Sequence, residues 1–212
     1  MERSVIVKKI KEAREKSKER KFKQTWDFSI VVKNINLKKP ENRFSSDFVL
    51  PKGRGKDVKI AMIADTMAAE AKKAVDLVIK KEEIEPLAKN KKKLKKITRD
   101  HVFLAEAPLM VLVGKSLGSV LGPRGKLPRP IPPKIKIEPF VMAAKRTVRI
   151  ALKENPVMNI VVGSEDMTDD DIAANVEAVF NMVKSKLPKG ISNIKSAFIK
   201  LTMGKPSKLE VQ

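Results

Sequence analysis

The sequence predicts an α/β (α+β) fold. Short apolar and β-branched runs, typical of buried or half-buried strands, alternate along the chain with segments whose apolar residues recur at helical spacing. The chain has 212 residues, 42% of them hydrophobic. That is enough for one large packed domain or two of about 100 residues each. Because no fixed period repeats along the chain, a solenoid or repeat array is not predicted.

A basic helix is predicted over residues 2–20, because its apolar residues form one stripe and Lys and Arg fill the rest. The stripe consists of Val5, Ile6, Ile10 and Ala13. The next strands are predicted at 25–33, 44–50 and 58–64. A basic turn with two glycines, 51–57, separates the last two strands. A second helix is predicted over 66–80, where apolar residues keep helical spacing.

The second half of the chain alternates in the same way. It is predicted to contain a strand at 101–106, a helix at 108–120, an irregular Pro/Gly-rich loop at 122–133, a helix at 139–145 and strands at 147–152, 157–162, 194–202 and 208–211. The clearest helix begins after Thr168, a good N-cap residue, and ends before Gly190. Three aspartates in its first turn complement the positive end of the helix dipole.

The charge of the chain indicates a polyanionic partner. Lys and Arg number 46 against 25 Asp and Glu, which gives a formal net charge of +21 at pH 7. Such a charge repels itself in a compact state unless a polyanion binds, and nucleic acid is the commonest polyanion in a cell. A membrane partner is not expected, because the sequence lacks a run of about 18 apolar residues and an apolar signal segment. A cytoplasmic location is the default.

Catalytic chemistry is not predicted. The chain has one histidine, His101, and no cysteine, which excludes a disulfide framework, a zinc knuckle and a thiol nucleophile. The acidic residues at 165–171 fit the N terminus of a helix better than a metal site. Gly114-Lys115-Ser116 and Gly125-Lys126 both lack the earlier glycine of a phosphate-binding loop. We therefore expect no cofactor and no metal.

Four basic clusters favour nucleic-acid binding over a merely solvated surface. They lie at 14–23, 52–59, 89–99 and 122–136. Such clusters contact phosphates, which provides affinity and salt dependence. Aromatic residues make up only 4% of the chain and tyrosine is absent, so a stacking platform for single strands is missing. The composition favours a folded RNA recognised by shape, 2′-hydroxyls and backbone, while duplex DNA stays open as a partner.

Two short segments are candidates for specific contacts. Phe22 and Trp26 flank a basic strand entry, where each could stack on RNA or belong to the core, and we expect Trp26 to be partly buried. The segment Thr202-Met203-Gly204-Lys205 follows a strand. Its glycine lets a ligand approach the backbone, and its hydroxyl can bond to a 2′-hydroxyl or a phosphate. An ordinary strand-terminating turn explains this segment equally well.

Four motifs stand out when they are taken together. They are Lys21-Phe22 with Thr25 and Asp27, then Leu121-Gly122-Pro123-Arg124-Gly125-Lys126, then Gly163-Ser164-Glu165-Asp166-Met167, and finally Ser196 with Thr202-Met203-Gly204-Lys205. In this combination the chain resembles, essentially from end to end, the ribosomal protein L1 family (the universal stalk protein of the large subunit) in its archaeal form.

The resemblance implies two domains and a non-enzymatic function. Residues 1–61 and 156–212 would form a discontinuous split α/β sandwich, and residues 62–155 an inserted Rossmann-like three-layer domain. The family is a structural constituent of the large ribosomal subunit that binds the rRNA of the mobile stalk, near the exit site for deacylated tRNA. It assists release of that tRNA and represses translation by binding a similar structure in its own mRNA. A monomer within the ribosome is implied.

By position, the resemblance assigns the RNA contacts of the first domain to two groups. They are Lys21, Phe22, Thr25 and Asp27 near the first strand, and Ser196, Thr202, Met203 and Gly204 near the last. Asp27 stands where many members have glutamate, which keeps the acceptor but shortens its reach. In the second domain, Arg124 and Lys126 are candidates for secondary contacts with rRNA or tRNA, and the run at 89–99 has no assigned role.

Two other functions remain open. A general nucleic-acid-coating protein would bind DNA and RNA alike, and competition with duplex DNA would reveal it. An enzyme would use the Rossmann-like domain for a nucleotide, and failure to bind ATP or NAD would exclude it.

Overall fold

The structure, a computed structural model, describes residues 2–133 and 135–211. Lys134, within the predicted basic cluster at 122–136, lies outside the described residues. The chain forms two compact units. The first contains the chain up to Lys56 and again from Arg146, and the second is Asp57–Lys145. Both units mix helices with strands, which confirms the α/β fold class.

Helices and strands alternate along the chain. The helices are α1 (Arg3–Glu15), α2 (Ala68–Ala74), α3 (Ile84–Lys89), α4 (Lys91–Asp100), α5 (Met110–Leu121), α6 (Glu138–Arg146) and α7 (Asp169–Lys186). The strands are β1 (Thr25–Val32), β2 (Phe44–Val49), β3 (Lys59–Ala64), β4 (Leu77–Lys80), β5 (His101–Glu106), β6 (Arg129–Ile131), β7 (Thr147–Leu152), β8 (Val157–Ser164), β9 (Ile194–Leu201) and β10 (Ser207–Leu209).

The first unit is built on a four-stranded antiparallel sheet in the order β10-β9-β1-β8. Side chains alternate between its faces, so Trp26, Phe28 and Ile30 of β1 are buried and pack in one core with α1 and α7. Each large apolar side chain buried in this way contributes roughly 1.5–3 kcal/mol. The opposite face carries Thr25 and Asp27, which are only half-buried, and neither residue belongs to this core.

Helix α7 forms as its first turn predicts. The Thr168 hydroxyl accepts a hydrogen bond from the Asp171 amide at 3.2 Å, which caps the helix. The carboxylate of Asp169 pairs with the Arg14 guanidinium of α1 at 2.8 Å. A separate antiparallel pair, β2-β7, adds its apolar face to the same core. Because β7 pairs with β2, the chain passes between the units at 56/57 and 145/146, and not at the expected 61/62 and 155/156.

The second unit is a parallel sheet in the order β4-β3-β5-β6, covered on both faces. Ala61 and Ile63 of β3 pack in a core with α3, α4 and α5. Ile60 and Met62 of the same strand point to the opposite face and pack with α2 and α6. A buried parallel sheet between two helical layers is the three-layer arrangement that the resemblance implied.

Two predicted elements are wrong. The helix expected over 66–80 ends at Ala74, and Leu77–Lys80 forms strand β4, which pairs in parallel with β3. The segment 122–133, expected to be irregular, contains strand β6 at the edge of the sheet. Its Pro130 is tolerated because an edge strand leaves one side without ladder hydrogen bonds.

Candidate nucleic-acid interface

Two of the predicted RNA-contacting residues, Thr25 and Thr202, meet where β1 begins and β9 ends. The Oγ1 atoms of Thr25 and Thr202, here called the threonine pair, lie 2.9 Å apart. The Thr25 amide donates to Thr202 Oγ1 at 3.2 Å, and Thr202 Oγ1 donates to the Thr25 carbonyl oxygen at 3.1 Å. The Thr202 amide donates to the same carbonyl oxygen at 3.0 Å. Residues 177 positions apart in the chain are thereby fixed against each other.

The hydrogen-bond inventory of the threonine pair decides what it can offer a ligand. A hydroxyl has one hydrogen and two lone pairs. The Thr202 hydroxyl donates its hydrogen to the Thr25 carbonyl, and its two lone pairs accept from the Thr25 amide and the Thr25 hydroxyl. It therefore has no donor or acceptor left for a ligand. The Thr25 hydroxyl then donates to Thr202 and keeps both lone pairs free. It can accept from a 2′-hydroxyl or a base amino group.

The turn after β9 is held by a residue that sequence analysis missed. Gln24 is completely buried, and its Oε1 atom accepts from the Met203 amide at 3.1 Å. A buried amide that joins two distant segments leaves no signal in a single sequence. Met203 itself is 59% exposed and is available to a partner. A Cβ atom on Gly204 would lie 2.9 Å from Ser17 Oγ, so this position favours glycine for close packing.

Asp27 lies on the open face of the sheet, directly opposite Lys200. Partial burial raises the pKa of its carboxyl above the usual 3.8, and the positive charge of Lys200 opposes this rise. Ser196 lies on the same face, opposite Val31. It is about 20 Å along the strand from Thr202, at 3.4 Å per residue. The structure therefore places Asp27 near the threonine pair and Ser196 far along the same face.

The two aromatic residues differ in accessibility. Phe22 is 53% exposed, and the adjacent Lys21 is exposed as well, so both are free to contact a partner. Trp26 is fully buried, and the expectation of partial burial was wrong. Its ring packs in the core under the Arg14 guanidinium, 5.5 Å from the ring centre. Stacking of Trp26 on RNA is excluded by this burial.

The acidic residues around 165–171 bind cations of the same unit. Asp166 accepts from Lys23 Nζ at 2.6 Å, and this hydrogen bond raises the pKa of Lys23. The pKa of Asp171 is lowered by its hydrogen bonds with Thr168 and Lys52. Among the described residues, no group of three His, Cys, Asp or Glu is placed to hold a metal ion. These acids therefore order the loops around the sheet end.

Arg124 and Lys126 belong to the second unit, where both bind backbone carbonyls. Arg124 donates to the Lys95 carbonyl at 3.1 Å, and Lys126 Nζ donates to the carbonyls of Arg99 and His101 at 3.0 Å each. These cations complement the carbonyl end of α4, which contains the lysine run. Their assignment as secondary RNA contacts stays a prediction.

The carboxyl ends of the parallel strands are where a Rossmann-like domain would bind a nucleotide. Glu106 at the end of β5 is 2% exposed, and its carboxylate accepts from the Asp65 and Met67 amides at 3.0 and 2.7 Å. The Thr66 hydroxyl donates to the same carboxylate at 3.2 Å. The amides after β3 that could hold a phosphate are therefore occupied by the protein's own anion, which disfavours a nucleotide here.

Asp27→Asn is expected to stabilise the first unit at pH 7. A carboxyl whose pKa is higher in the folded state binds protons more readily when folded, so its ionised form lowers the free energy of unfolding above that pKa. The gain should shrink as the pH falls through the raised pKa towards 3.8. The fluorescence of Trp26, the one tryptophan of the chain, reports unfolding of this unit. A gain that grew on acidification would contradict the assignment.

Comparison with known proteins agrees with the motifs. The model of the family described as "Ribosomal protein L1p/L10e family" matches residues 11–205. The large ribosomal subunit protein uL1 of Methanothermococcus thermolithotrophicus is 47% identical over 212 residues, covering 99% of this chain and 100% of the relative. Those of Methanocaldococcus jannaschii and Pyrococcus horikoshii are each 46% identical over 212 residues, covering 99% of this chain and 97% of the relative.

The structure adds a negative finding on membranes. No helix in the described part of the chain is both long enough and apolar enough to cross a bilayer.

The matched relatives are archaeal and cover the chain almost completely, in agreement with the archaeal form of the motifs. The chain therefore belongs to the ribosomal protein L1 family and is a ribosomal protein rather than an enzyme.

Proposed function

We propose that this protein is a structural constituent of the large ribosomal subunit, located in the cytoplasm, that binds the rRNA of the mobile stalk near the tRNA exit site. The observation that supports this most is the threonine pair at the end of the sheet. Phe22 and Met203, close to this pair in the chain, are both exposed. A fixed acceptor together with exposed apolar side chains suits a folded RNA better than a flexible basic patch does.

The chemistry of this surface explains how shape would be recognised. The free lone pairs of Thr25 and the carboxylate of Asp27 accept hydrogen bonds, which RNA donates through 2′-hydroxyls and base amino groups. That carboxylate repels phosphates, so we expect a phosphate near it to contact Lys200, which lies directly opposite Asp27. The net charge of +21 provides long-range attraction without selecting a sequence.

The same surface would serve the two further activities that the resemblance implies. An mRNA that folds like the stalk rRNA would occupy the same acceptors, so binding would repress translation of the chain's own message. Attached to the mobile stalk, the protein would assist release of deacylated tRNA from the exit site as a monomer within the ribosome.

The test is binding of the purified chain to a large-subunit stalk rRNA fragment, in competition with unrelated RNA and with duplex DNA. A shape-specific site should prefer the stalk fragment and keep that preference as salt is raised, because phosphate contacts weaken with salt more than other contacts do. Equal affinity for all three nucleic acids would instead identify a general coating protein.

Removal of the second unit is expected to leave stalk binding largely intact. The threonine pair, Asp27 and Met203 all lie in the first unit, which holds its own apolar core. A deletion of 57–145 with a short Gly/Ser linker should therefore bind the fragment within about tenfold of the full chain. Loss of binding in a deletion protein that keeps the native fluorescence of Trp26 would show that the site lies elsewhere.

A further inference from the structure

The turn between β2 and β3 carries an arginine that its surroundings in the protein do not explain. Arg54 lies in residues 52–56, here called the glycine turn, and is partly buried. Its Nε atom is buried without a hydrogen-bond partner, and no ion pair of Arg54 occurs among the described residues. Burial lowers the pKa of this guanidinium, which nevertheless stays charged. A desolvated cation without a counter-ion is costly unless a ligand supplies the anion.

The glycine turn is held rigidly. Asn175 of α7 is completely buried, donates to the carbonyls of Gly53 and Val162 at 2.9 and 2.8 Å, and accepts from the Lys52 amide at 3.0 Å. Gly53 and Gly55 adopt left-handed backbone angles, φ +73° and +67°. A Cβ atom on Gly55 would collide with Ser164 Oγ, which donates to the Gly55 carbonyl at 3.0 Å. The turn therefore presents Arg54 from a pre-organised backbone.

Further positive charge lies around Arg54. The Cγ atom of Arg146 lies 3.5 Å from the place of a Cβ on Gly53, and Lys56 is exposed. The nearby carboxylate of Asp171 pairs with Lys52 Nζ at 3.2 Å. A turn with left-handed glycines that carries Arg54 and the exposed Lys56, with Arg146 beside Gly53, resembles an anion-binding concavity, where arginine forms forked contacts with phosphate.

The glycine turn lies at the same end of the sheet as the threonine pair. Ser164, which holds Gly55, is the register partner of Thr25 in the β1-β8 ladder. Neighbouring strands are about 4.8 Å apart, so a ligand bound at Thr25 lies one strand away from Ser164, the residue that holds the turn. We propose that Arg54, with Arg146, binds a phosphate of the RNA backbone, which extends the proposed stalk site beyond β8. This inference rests on the proposed function.

The experiment compares Arg54→Gln with Lys186→Gln in the full chain. Lys186 is exposed in the last turn of α7, far from Asp171 in the first turn, so it makes a matched control for charge. We expect Arg54→Gln to weaken binding of the stalk rRNA fragment about tenfold and to lower the slope of log affinity against log salt by about one, as loss of one phosphate contact does. Lys186→Gln should change neither quantity.

Every other outcome of this experiment supports or overturns the proposed phosphate contact. A slope and affinity equal to those of Lys186→Gln, with unchanged Trp26 fluorescence, overturns the site. If the wild-type chain binds the stalk fragment no better than unrelated RNA, the proposed function fails. In that case a lower salt slope of Arg54→Gln than of the wild type on unrelated RNA still supports the phosphate contact. A further outcome is that inorganic phosphate raises the melting temperature of the wild type but not of Arg54→Gln, while both proteins bind RNA equally well. The turn then binds a free anion, and the RNA contact is overturned.

A second variant covers the case in which Arg54→Gln does not fold. Arg146→Gln is then expected to lower the salt slope, and an unchanged slope overturns the site.

Discussion

Asn175→Ala is expected to destabilise the first unit by about 3 kcal/mol. The substitution removes the partners of the Lys52 amide and of the Gly53 and Val162 carbonyls, all held by a side chain with no solvent exposure. An orphaned buried backbone group costs about 1–3 kcal/mol, and three groups close together do not add fully because some reach water after the turn relaxes. Urea unfolding followed by Trp26 fluorescence measures the change for this unit alone.

The control lies on the same helix. Asn181 of α7 is exposed, so Asn181→Ala should change the free energy of unfolding by no more than about 0.5 kcal/mol. Equal effects of the two substitutions would mean that Asn175 acts only through helix propensity. Asn175→Ala should also weaken RNA binding, because the glycine turn that it loosens would no longer hold Arg54 in place.

Thr202→Val is expected to weaken binding of the stalk rRNA fragment by about 1–3 kcal/mol, or roughly 5- to 150-fold. Valine keeps the shape of threonine but removes the hydroxyl that fixes Thr25 through its amide, carbonyl and hydroxyl. The Thr25 hydroxyl would then turn freely and no longer present its lone pairs in a fixed direction. The loss is therefore transmitted through Thr25.

Thr202→Ser separates the hydroxyl from the methyl group. Serine keeps the three hydrogen bonds, so its affinity should stay close to that of the wild type. A loss in Thr202→Ser together with wild-type affinity in Thr202→Val would instead point to packing of the methyl group. Fluorescence of the buried Trp26 checks that each variant folds. Wild-type affinity of Thr202→Val would remove this residue from the site.

Local pattern was sufficient where an element depends on its own residues. Helix α7 was predicted because its cap, its acidic first turn and its apolar spacing agree. Strand β1 was predicted from its run of β-branched and aromatic residues. The sequence predicts a helix through Leu77–Lys80 because the helical spacing of apolar residues in α2 continues into this segment. Only pairing with β3 makes it a strand, and single-sequence periodicity contains no information on such long-range pairing.

The candidate site was predictable to a similar extent. Hydroxyls, a glycine and a basic surface are visible in the sequence, and the resemblance supplied which of them to combine. The buried amides of Gln24 and Asn175 were not foreseen, because an amide side chain looks the same in sequence whether it faces solvent or joins two distant segments. Trp26 was misjudged because strand alternation alone does not tell which face of a sheet a helix covers.

The order of strands in the first sheet has a consequence for when RNA can bind during synthesis. Thr25 leaves the translating ribosome long before Thr202, which follows it by 177 residues, yet β9 lies between β1 and β10 in the sheet. A nascent chain therefore lacks half of the proposed recognition surface until β9 is released. Closing so long a loop is slow compared with forming local structure. If the proposed repression of its own message takes place, it would thus respond to finished, released copies and not to chains still being made.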